Sequence, residues 1–532
     1  MPSKSRTIRH FFLGGWATDY GPTVDVLPDQ TGKVGIPFLV DAENVLFELD
    51  GGPHKIGGTT KLNSSAVASS AAVMGLYDYW KSGTAGAPAR RRVLHAGTLC
   101  MNDADDGTFV NLFTGLESGS VPCYSTFDDL LIISSNSTTD VPRSWDQTTA
   151  QNLAGSPPRF SISCTHKNRS WAAGVHTVPS RLYYSANVDP EDWTGVGSGS
   201  IDIDPNDGDT ITGIVSHQNK LFIFKGPNKG SIHMITGSSP TGSDAFARTT
   251  FVQGIGAAAH NSIFRFSDDI GFVSQFGTIS SLSATQAYGD FASASLSRPI
   301  NIGWIRSHLN YNRLKNISAA TDSTNGLVYI TASWDANSVN NTVLVMDYRN
   351  APDIIRWSKI PSYSCASLAA FVDTNGVRRV LAGGNDGFVR RLNIADRSID
   401  AATSIAYKIT TPFLNYGDPF QMKTLEQASV GIAPKGDYDF TYGWTRDNNA
   451  QQTFTQNQGG EDVLGPANAN EFTLDTSALG GSKYVDRYME LAEGGEFRSI
   501  QYQVTNSGTN EDMEVHSISA VISGGSQSTE NA

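Results

Sequence analysis

The sequence is poor in the residues that would staple or ligate it. Its four cysteines, Cys100, Cys123, Cys164 and Cys365, lie far apart with no CxxC pair, so their spacing writes neither a zinc site nor a disulfide framework. Buried free thiols are the preferred reading. Charged residues make up only 17% of the chain, and 39 Lys+Arg against 52 Asp+Glu leave 13 net negative charges. That balance speaks against a general nucleic-acid binder, which needs a cationic footprint to displace counterions. Long apolar runs are missing as well. After Lys4, Arg6 and Arg9, the run Phe11 to Leu13 is broken at once by Gly14-Gly15, too short for a signal peptide, and no later run reaches the length of a membrane span. A soluble protein made in a cytoplasm is expected. No HExxH, GxSxG or GxxxxGKS/T occurs, so no metal, cofactor or catalytic constellation is expected either.

What is abundant is turn chemistry. With 52 glycines and 10% aromatics in 532 residues, a turn-rich all-β protein of two or three domains is favoured. The stretch from Trp171 to Lys225 shows the pattern best: short runs such as Arg181 to Ser185, Ile201 to Asp204 and Leu221 to Phe224, each closed by Gly, Pro, Asn or Asp. Between Val73 and Leu392 such strands fall into about seven clusters with little helix between them, which is how radial repetition looks in sequence. A β-propeller of six to eight blades over residues 66–395 is the expectation.

The flanks read differently. Residues 1–65 are interrupted too often for a helix or a core and read as an extended arm with one strand at Val45 to Leu49, docked on something else. From Ser295 to Leu314, Ile302, Ile305, Leu309 and Leu314 fall at helical spacing behind Ser297-Arg298-Pro299, which predicts one or two turns of helix capping a propeller face. After Asn393 the strands lengthen: Ile405 to Pro412, Gln427 to Ile432, Tyr438 to Trp444, Glu471 to Leu474, Phe497 to Val504 and Met513 to Val521, with a polar loop from Asp447 to Gly460. A β-sandwich platform over residues 396–525 is expected, followed by a disordered tail at 526–532.

Three stretches could carry chemistry, and each has a blander reading that is preferred. Asp202 to Asp209 resembles a calcium loop, but Asp207 stands where the loop's glycine belongs and the closing Glu is missing, so a polar turn is expected. Asp189, Glu191 and Asp192 could be glycosidase carboxylates, yet acids this close at a Pro-containing turn more often solvate it. Gly254-Ile-Gly256 follows a strand like a dinucleotide-binding turn, but no β/α alternation comes after it. Arg90-Arg91-Arg92 reads as a solvated charge run or a contact to an acidic partner.

Several stretches resemble the tail nozzle and tail-hub proteins of short-tailed bacteriophages. The carrying residues are Gly14, Gly15, Asp41, Asn44 and Gly51 in the arm, then Tyr183, Ser185, Asp189, Pro190 and Trp193, and finally Gly254 and Gly277, all within roughly the first half of the chain. The resemblance implies a propeller joined to a sandwich platform and a non-enzymatic role in the virion tail. Six copies would ring the axis below the portal and adaptor, contact tail fibre or other tail proteins, and conduct double-stranded DNA without sequence-specific binding. An acidic wall fits such a conduit, because it offers no counterion-release gain to passing phosphates. The alternative is a propeller that binds or cleaves glycans.

Overall fold

The computed structural model describes residues 5–20, 27–28, 35–82, 89–103, 106–288, 295–351, 353–373, 375–416, 419–447, 449–459, 484–489 and 495–524. The strand expected at Glu471 to Leu474 and the tail at 526–532 lie outside the described residues.

The seven clusters fold into seven small antiparallel sheets. In chain order their first strands are Val73–Lys81, Cys123–Phe127, Ile162–His166, Thr210–His217, Ile263–Phe266, Ser318–Asp322 and Cys365–Val372. These first strands neighbour one another in chain order, the fourth reaching the fifth through the turn His260–Ser262 and the Arg265–Ser216 bond, and the seventh returns to the first, so the ring is closed. The turns show why the chain folds this way. Asp128-Asp129, Lys167-Asn168 and Gln218-Asn219 each hold two consecutive residues at positive φ, the hairpin geometry whose twist matches the flanking strands. Between neighbouring blades sits an apolar layer. Tyr79, Val93, Ile133 and Trp145 fill the gap from the first to the second blade, and Trp171, Leu182, Ile214 and Ile223 that from the third to the fourth. Packing sheet on sheet in this way buries the faces that a lone four-stranded sheet would leave wet.

Two blades depart from the four-strand pattern. Among the described residues the fifth has three strands, Ile263–Phe266, Asp269–Val273 and Ile279–Ser281. The seventh takes its fourth strand, Gly58–Lys61, from ahead of the first blade: Arg391 pairs with Thr60 and Leu392 with Thr59. The arm expected over residues 1–65 therefore ends inside the propeller, which its last strand closes. A four-residue strand beginning with glycine offers too little periodicity to be seen in the sequence.

Other described stretches of the arm are strand as well. Arg6–His10 pairs with Val515–Gly524, which pairs with Lys423–Ile432 and through it with Val485–Tyr488. Asp41–Glu43 joins a second sheet running Tyr407–Thr410, Ile500–Asn506, Asp439–Arg446 and Gln452–Asn457. The two sheets pack face to face through Val430, Ile518, Ala520, Tyr442, Trp444 and Tyr502, giving the platform sandwich. The loop expected from Asp447 to Gly460 contains the edge strand Gln452–Asn457, whose Thr-Phe-Thr centre is β-forming although its flanks are polar.

Blade and sandwich are continuous, because Lys359 of the sixth blade pairs with Glu43 of the arm strand. Arg356, 2% exposed, fastens the arm there with Nε on the Leu13 carbonyl (2.9 Å), Nη1 on Glu48 (3.0 Å) and Nη2 on Leu49 (3.2 Å). The segment expected to be a short helix is a chain of single turns, Arg298–Ile300, Asn301–Ile305, Arg306–His308 and Tyr311–Asn316, and a separate helix, Leu282–Tyr288, precedes it. These turns pack beside the three-stranded fifth blade, against the arm, where Trp304 meets Trp16 at 5.0 Å, and against the sixth blade, where it meets Trp334 at 4.3 Å, and the last of them carries Lys315 to the lining of a cavity at the end of the propeller axis.

Candidate functional site

The central channel is where all seven blades converge. Each first strand contributes to its wall, including Tyr77, Tyr124, Thr126, Thr165, Ser216, Arg265, Ser318 and Ser367, around a cavity of about 410 Å³. At roughly 30 Å³ per water molecule this space holds on the order of a dozen waters.

Side-chain hydrogen bonds, most of them from hydroxyl groups, stitch the wall at every blade junction. Tyr77 Oη meets Thr126 Oγ1 at 3.0 Å between the first and second blades, and Ser125 Oγ meets Ser163 Oγ at 2.7 Å between the second and third. His166 Nδ1 lies 2.8 Å from Ser216 Oγ, and Arg265 donates to the Ser216 carbonyl at 2.5 Å. Thr321 Oγ1 donates to the Arg265 carbonyl (2.6 Å), Ser318 Oγ accepts from the Leu368 amide (3.1 Å), and Ser367 Oγ donates to the Val73 carbonyl (2.6 Å). First strands splay too far apart for a continuous ladder between blades, so these side chains satisfy polar groups that would otherwise be buried unpaired. The Ser and Thr residues near each blade's start were the available sequence signal, and a search for hydrophobic runs passes over them.

One end of the channel, where the first strands begin, is crossed by the turn His260–Ser262 ahead of the fifth blade. The Ile214 amide donates to His260 Nδ1 at 3.5 Å, and Asn261 Nδ2 donates to the Pro122 carbonyl at 3.1 Å, so the turn bridges from the fourth and fifth blades to the second. A further cavity of about 330 Å³ lies at this mouth, lined by Cys123, Ser135, Ser161, Thr212, His260 and Lys315 among others.

The motif-bearing residues do not converge on the channel. Gly15, Asp41, Asn44 and Gly51 all sit at the joint of arm, sixth blade and sandwich. Gly15 (φ +67°) faces Arg356, where a Cβ would lie 2.9 Å from the arginine Cβ; Gly51 (φ +91°) backs onto Leu13, and the Gly14 amide donates to the Pro37 carbonyl. Asp41 accepts from Lys359 (2.9 Å) and Lys408 (2.8 Å), while Asn44 donates to the Ala406 carbonyl and accepts from the Ser362 amide. Tyr183 lies in the third blade's strand Arg181–Tyr184, and Ser185, Asp189, Pro190 and Trp193 build the loop that follows it. Ser185 Oγ accepts from the Ser170 amide, Asp189 Oδ1 from the Glu191 amide, and Trp193 packs on Phe160 while donating to the Pro190 carbonyl. Gly254 (φ +89°) and Gly277 (φ +83°) make turns in the fourth and fifth blades.

The Asp202–Asp209 loop encloses a lysine. Lys225 Nζ, fully buried, donates to the carbonyls of Ile203 (2.8 Å) and Asp204 (2.9 Å) and to Asp207 Oδ2 (2.7 Å). Burial pushes the Asp207 carboxyl up, but the hydrogen bonds from Lys225 and the Asp209 amide outweigh it and hold the group below the usual range. Asp189 and Asp192 are used by amides of their own loop, as the turn reading expects. The arginine run is not a solvated face: Arg90 pairs with Asp78 (2.6 Å) and Arg92 with Asp103 (3.3 Å), both across strands and largely buried. Among the described residues no cluster of three or more His, Cys, Asp or Glu could hold a metal, and no helix is long and apolar enough to cross a membrane.

No protein-family model matches the sequence, and no curated protein sequence matches it. Solved structures align at low similarity. YCF48 bound to a D1 peptide is 10% identical over 64% of this chain and 98% of that one, with a TM-score of 0.38. Raptor of Chaetomium thermophilum is 14% identical over 60% of this chain and 28% of that one (TM-score 0.37), and a gluconolactonase from Xanthomonas campestris is 10% identical over 70% and 98% (TM-score 0.31). At these scores none of them bears on function.

Proposed function

We propose that this chain is a structural subunit of a bacteriophage tail, a nozzle protein whose copies form a ring below the portal and adaptor and conduct genomic DNA on ejection. The observation that carries the reading is the joint. The arm contributes a strand to each sheet of the sandwich and then closes the seventh blade, so platform and propeller are one covalently interlaced piece suited to a load-bearing wall. The arm residues that resemble nozzle proteins are the residues that build this joint. In this reading the DNA passes between subunits, since a cavity of about 410 Å³ has no room for a duplex. Head-to-tail contacts that close by rotation supply such a passage, and six copies is the number the resemblance implies.

Native mass spectrometry of the purified protein, with reconstruction of the virion tail, tests this. A hexameric ring on the tail axis supports it, and a monomer on the virion, or a ring whose bore is basic and holds DNA at moderate salt, overturns it. A second reading, a glycan-binding propeller, is favoured by the tyrosines, hydroxyls and Arg265 lining the channel. A glycan array that returns saturable binding abolished by Tyr124→Ala would support that reading instead.

A further inference from the structure

The wall of the central channel holds a guanidinium that no carboxylate neutralises. Arg265, on the fifth blade's first strand, is exposed and lines the cavity of about 410 Å³. Its Nη2 donates to the Ser216 carbonyl of the fourth blade at 2.5 Å, which fixes the plane of the group. Among the described residues its side chain makes no ion pair and no other hydrogen bond, so Nε and Nη1 keep free donors. The charge around it is one-sided. Although the chain carries 52 Asp+Glu against 39 Lys+Arg, no described Asp or Glu lines either this cavity or the adjoining one at the mouth, where Lys315 adds a second exposed cation without an ion pair. Carboxylates set behind the wall are already engaged, Asp78 by Arg90 and Asp140 by the Glu117 amide and the Ser135 hydroxyl. A cleft lined by one sign of charge concentrates ions of the other sign.

The rest of the wall suits a hydroxylated body. Tyr77 Oη and Thr126 Oγ1 share one hydrogen bond at 3.0 Å, so one of their two protons stays free to donate. Thr165 Oγ1 spends its proton on the Thr126 carbonyl (2.8 Å) and keeps its lone pairs as acceptors. All three side chains are half-buried and line the same cavity, beside the stacked rings of Tyr77 and Tyr124 at 5.4 Å. The cavity falls within the roughly 300–1,000 Å³ usual for small-molecule sites. We propose that the propeller channel binds a small hydroxylated oxyanion, a sugar acid or a sugar phosphate, with its charged group on Arg265 and its hydroxyls on Tyr77, Thr126 and Thr165. A guanidinium already held in plane, with donors to spare, matches the oxygens of a carboxylate or a phosphate. This inference does not depend on the nozzle reading. It shares the channel with the glycan reading and differs from it in requiring charge.

The test is isothermal titration of the native full-length chain at low ionic strength with D-glucuronate, glucose 6-phosphate, glucose and inorganic phosphate. At least one of the two acidic sugars binds saturably at one site per chain, about tenfold or more tighter than glucose, and the pair shows whether carboxylate or phosphate is preferred. Arg265→Gln weakens that binding by about tenfold or more. Absence of saturable binding by both acidic sugars overturns the proposal, as does an unchanged affinity in Arg265→Gln. Glucose bound as tightly as its acidic forms overturns the charge requirement and returns the channel to the glycan reading. Inorganic phosphate bound as tightly as glucose 6-phosphate overturns the part assigned to the hydroxyls. Should Arg265→Gln not fold, the comparison of acidic sugars with glucose on the unsubstituted protein decides alone.

Discussion

Lys225→Met should open the seam between the third and fourth blades. The side chain is fully buried and its three Nζ protons meet three acceptors, two carbonyls and one carboxylate oxygen, at 2.7–2.9 Å. Methionine keeps most of the volume and removes every donor, so the loss is electrostatic rather than a cavity. A buried carbonyl stripped of its partner costs about 1–3 kcal/mol. Asp207, a quarter exposed, can turn to water and adds at the low end of that range. The sum, about 3–7 kcal/mol, contains the roughly 3–5 kcal/mol that breaking a buried pair by removing one partner generally costs. Hydrogen exchange of the strands at 199–202 and 220–226 reads the local opening directly, which suits a chain too large for a single unfolding free energy. Asp207→Asn, which keeps both carbonyl bonds, should cost about 1–2 kcal/mol. Exchange in Lys225→Met within about 0.5 kcal/mol of the unsubstituted protein would refute the reasoning. Calcium should leave the unsubstituted protein unchanged, because the lysine fills the loop; a calcium-dependent gain in protection would show the loop to be a metal site after all.

Other outcomes follow from the joint. Gly15→Ala places a Cβ at φ +67° against Arg356 and should cost about 1–3 kcal/mol, read as faster proteolysis of the arm, whereas Gly115→Ala, at φ +74° with nothing within 4 Å, adds backbone strain without a clash and should cost less than Gly15→Ala in a parallel assay. Burial lowers both His10 and His54 to about 4; since the unfolded chain takes up these protons below about 6.5, arm docking is fully stable above that pH and loses about 1.4 kcal/mol per unit for each histidine as pH falls toward 4. Limited proteolysis at pH 7 and pH 5 measures it, and equal rates would count against it. Deleting residues 1–40 should leave propeller exchange intact while impairing assembly, but deleting residues 1–62 should raise exchange in the strands at 389–394, which lose their outer partner.

The propeller was legible because its blades repeat strand and turn at short range, and pairs such as Lys167-Asn168 announce hairpins locally. The closing strand Gly58–Lys61, the edge strand Gln452–Asn457 and the channel's cross-blade bonds were not, since each depends on a partner far away in sequence. Asn261 reaches Pro122 over 139 positions and Lys55 reaches Asn506 over 451. The Asp202–Asp209 loop reads as a polar turn from its own residues, but the ammonium it encloses, that of Lys225, lies a strand away.

The joint also constrains how the molecule can move. Where two domains are joined by a linker, relative motion is the default unless their interface is large and hydrophobic. Here the route of the chain forbids it. It enters at Arg6 in one sandwich sheet, crosses to the other at Asp41, closes the seventh blade at Gly58–Lys61, runs round all seven blades, and re-enters the sandwich at Tyr407. Any rocking of platform against propeller must break the Arg356 clamp on the arm, the Lys359 and Lys408 pairs on Asp41, and the bond from Lys55 Nζ to Asn506 Oδ1 at 2.8 Å, all at once. These groups are buried or half-buried, so each broken contact leaves a polar atom without its partner. Movement in an assembly of such subunits is therefore confined to the contacts between copies and to loops outside the joint, and a gate for a passing polymer would have to be built from those loops rather than from a hinge within the chain.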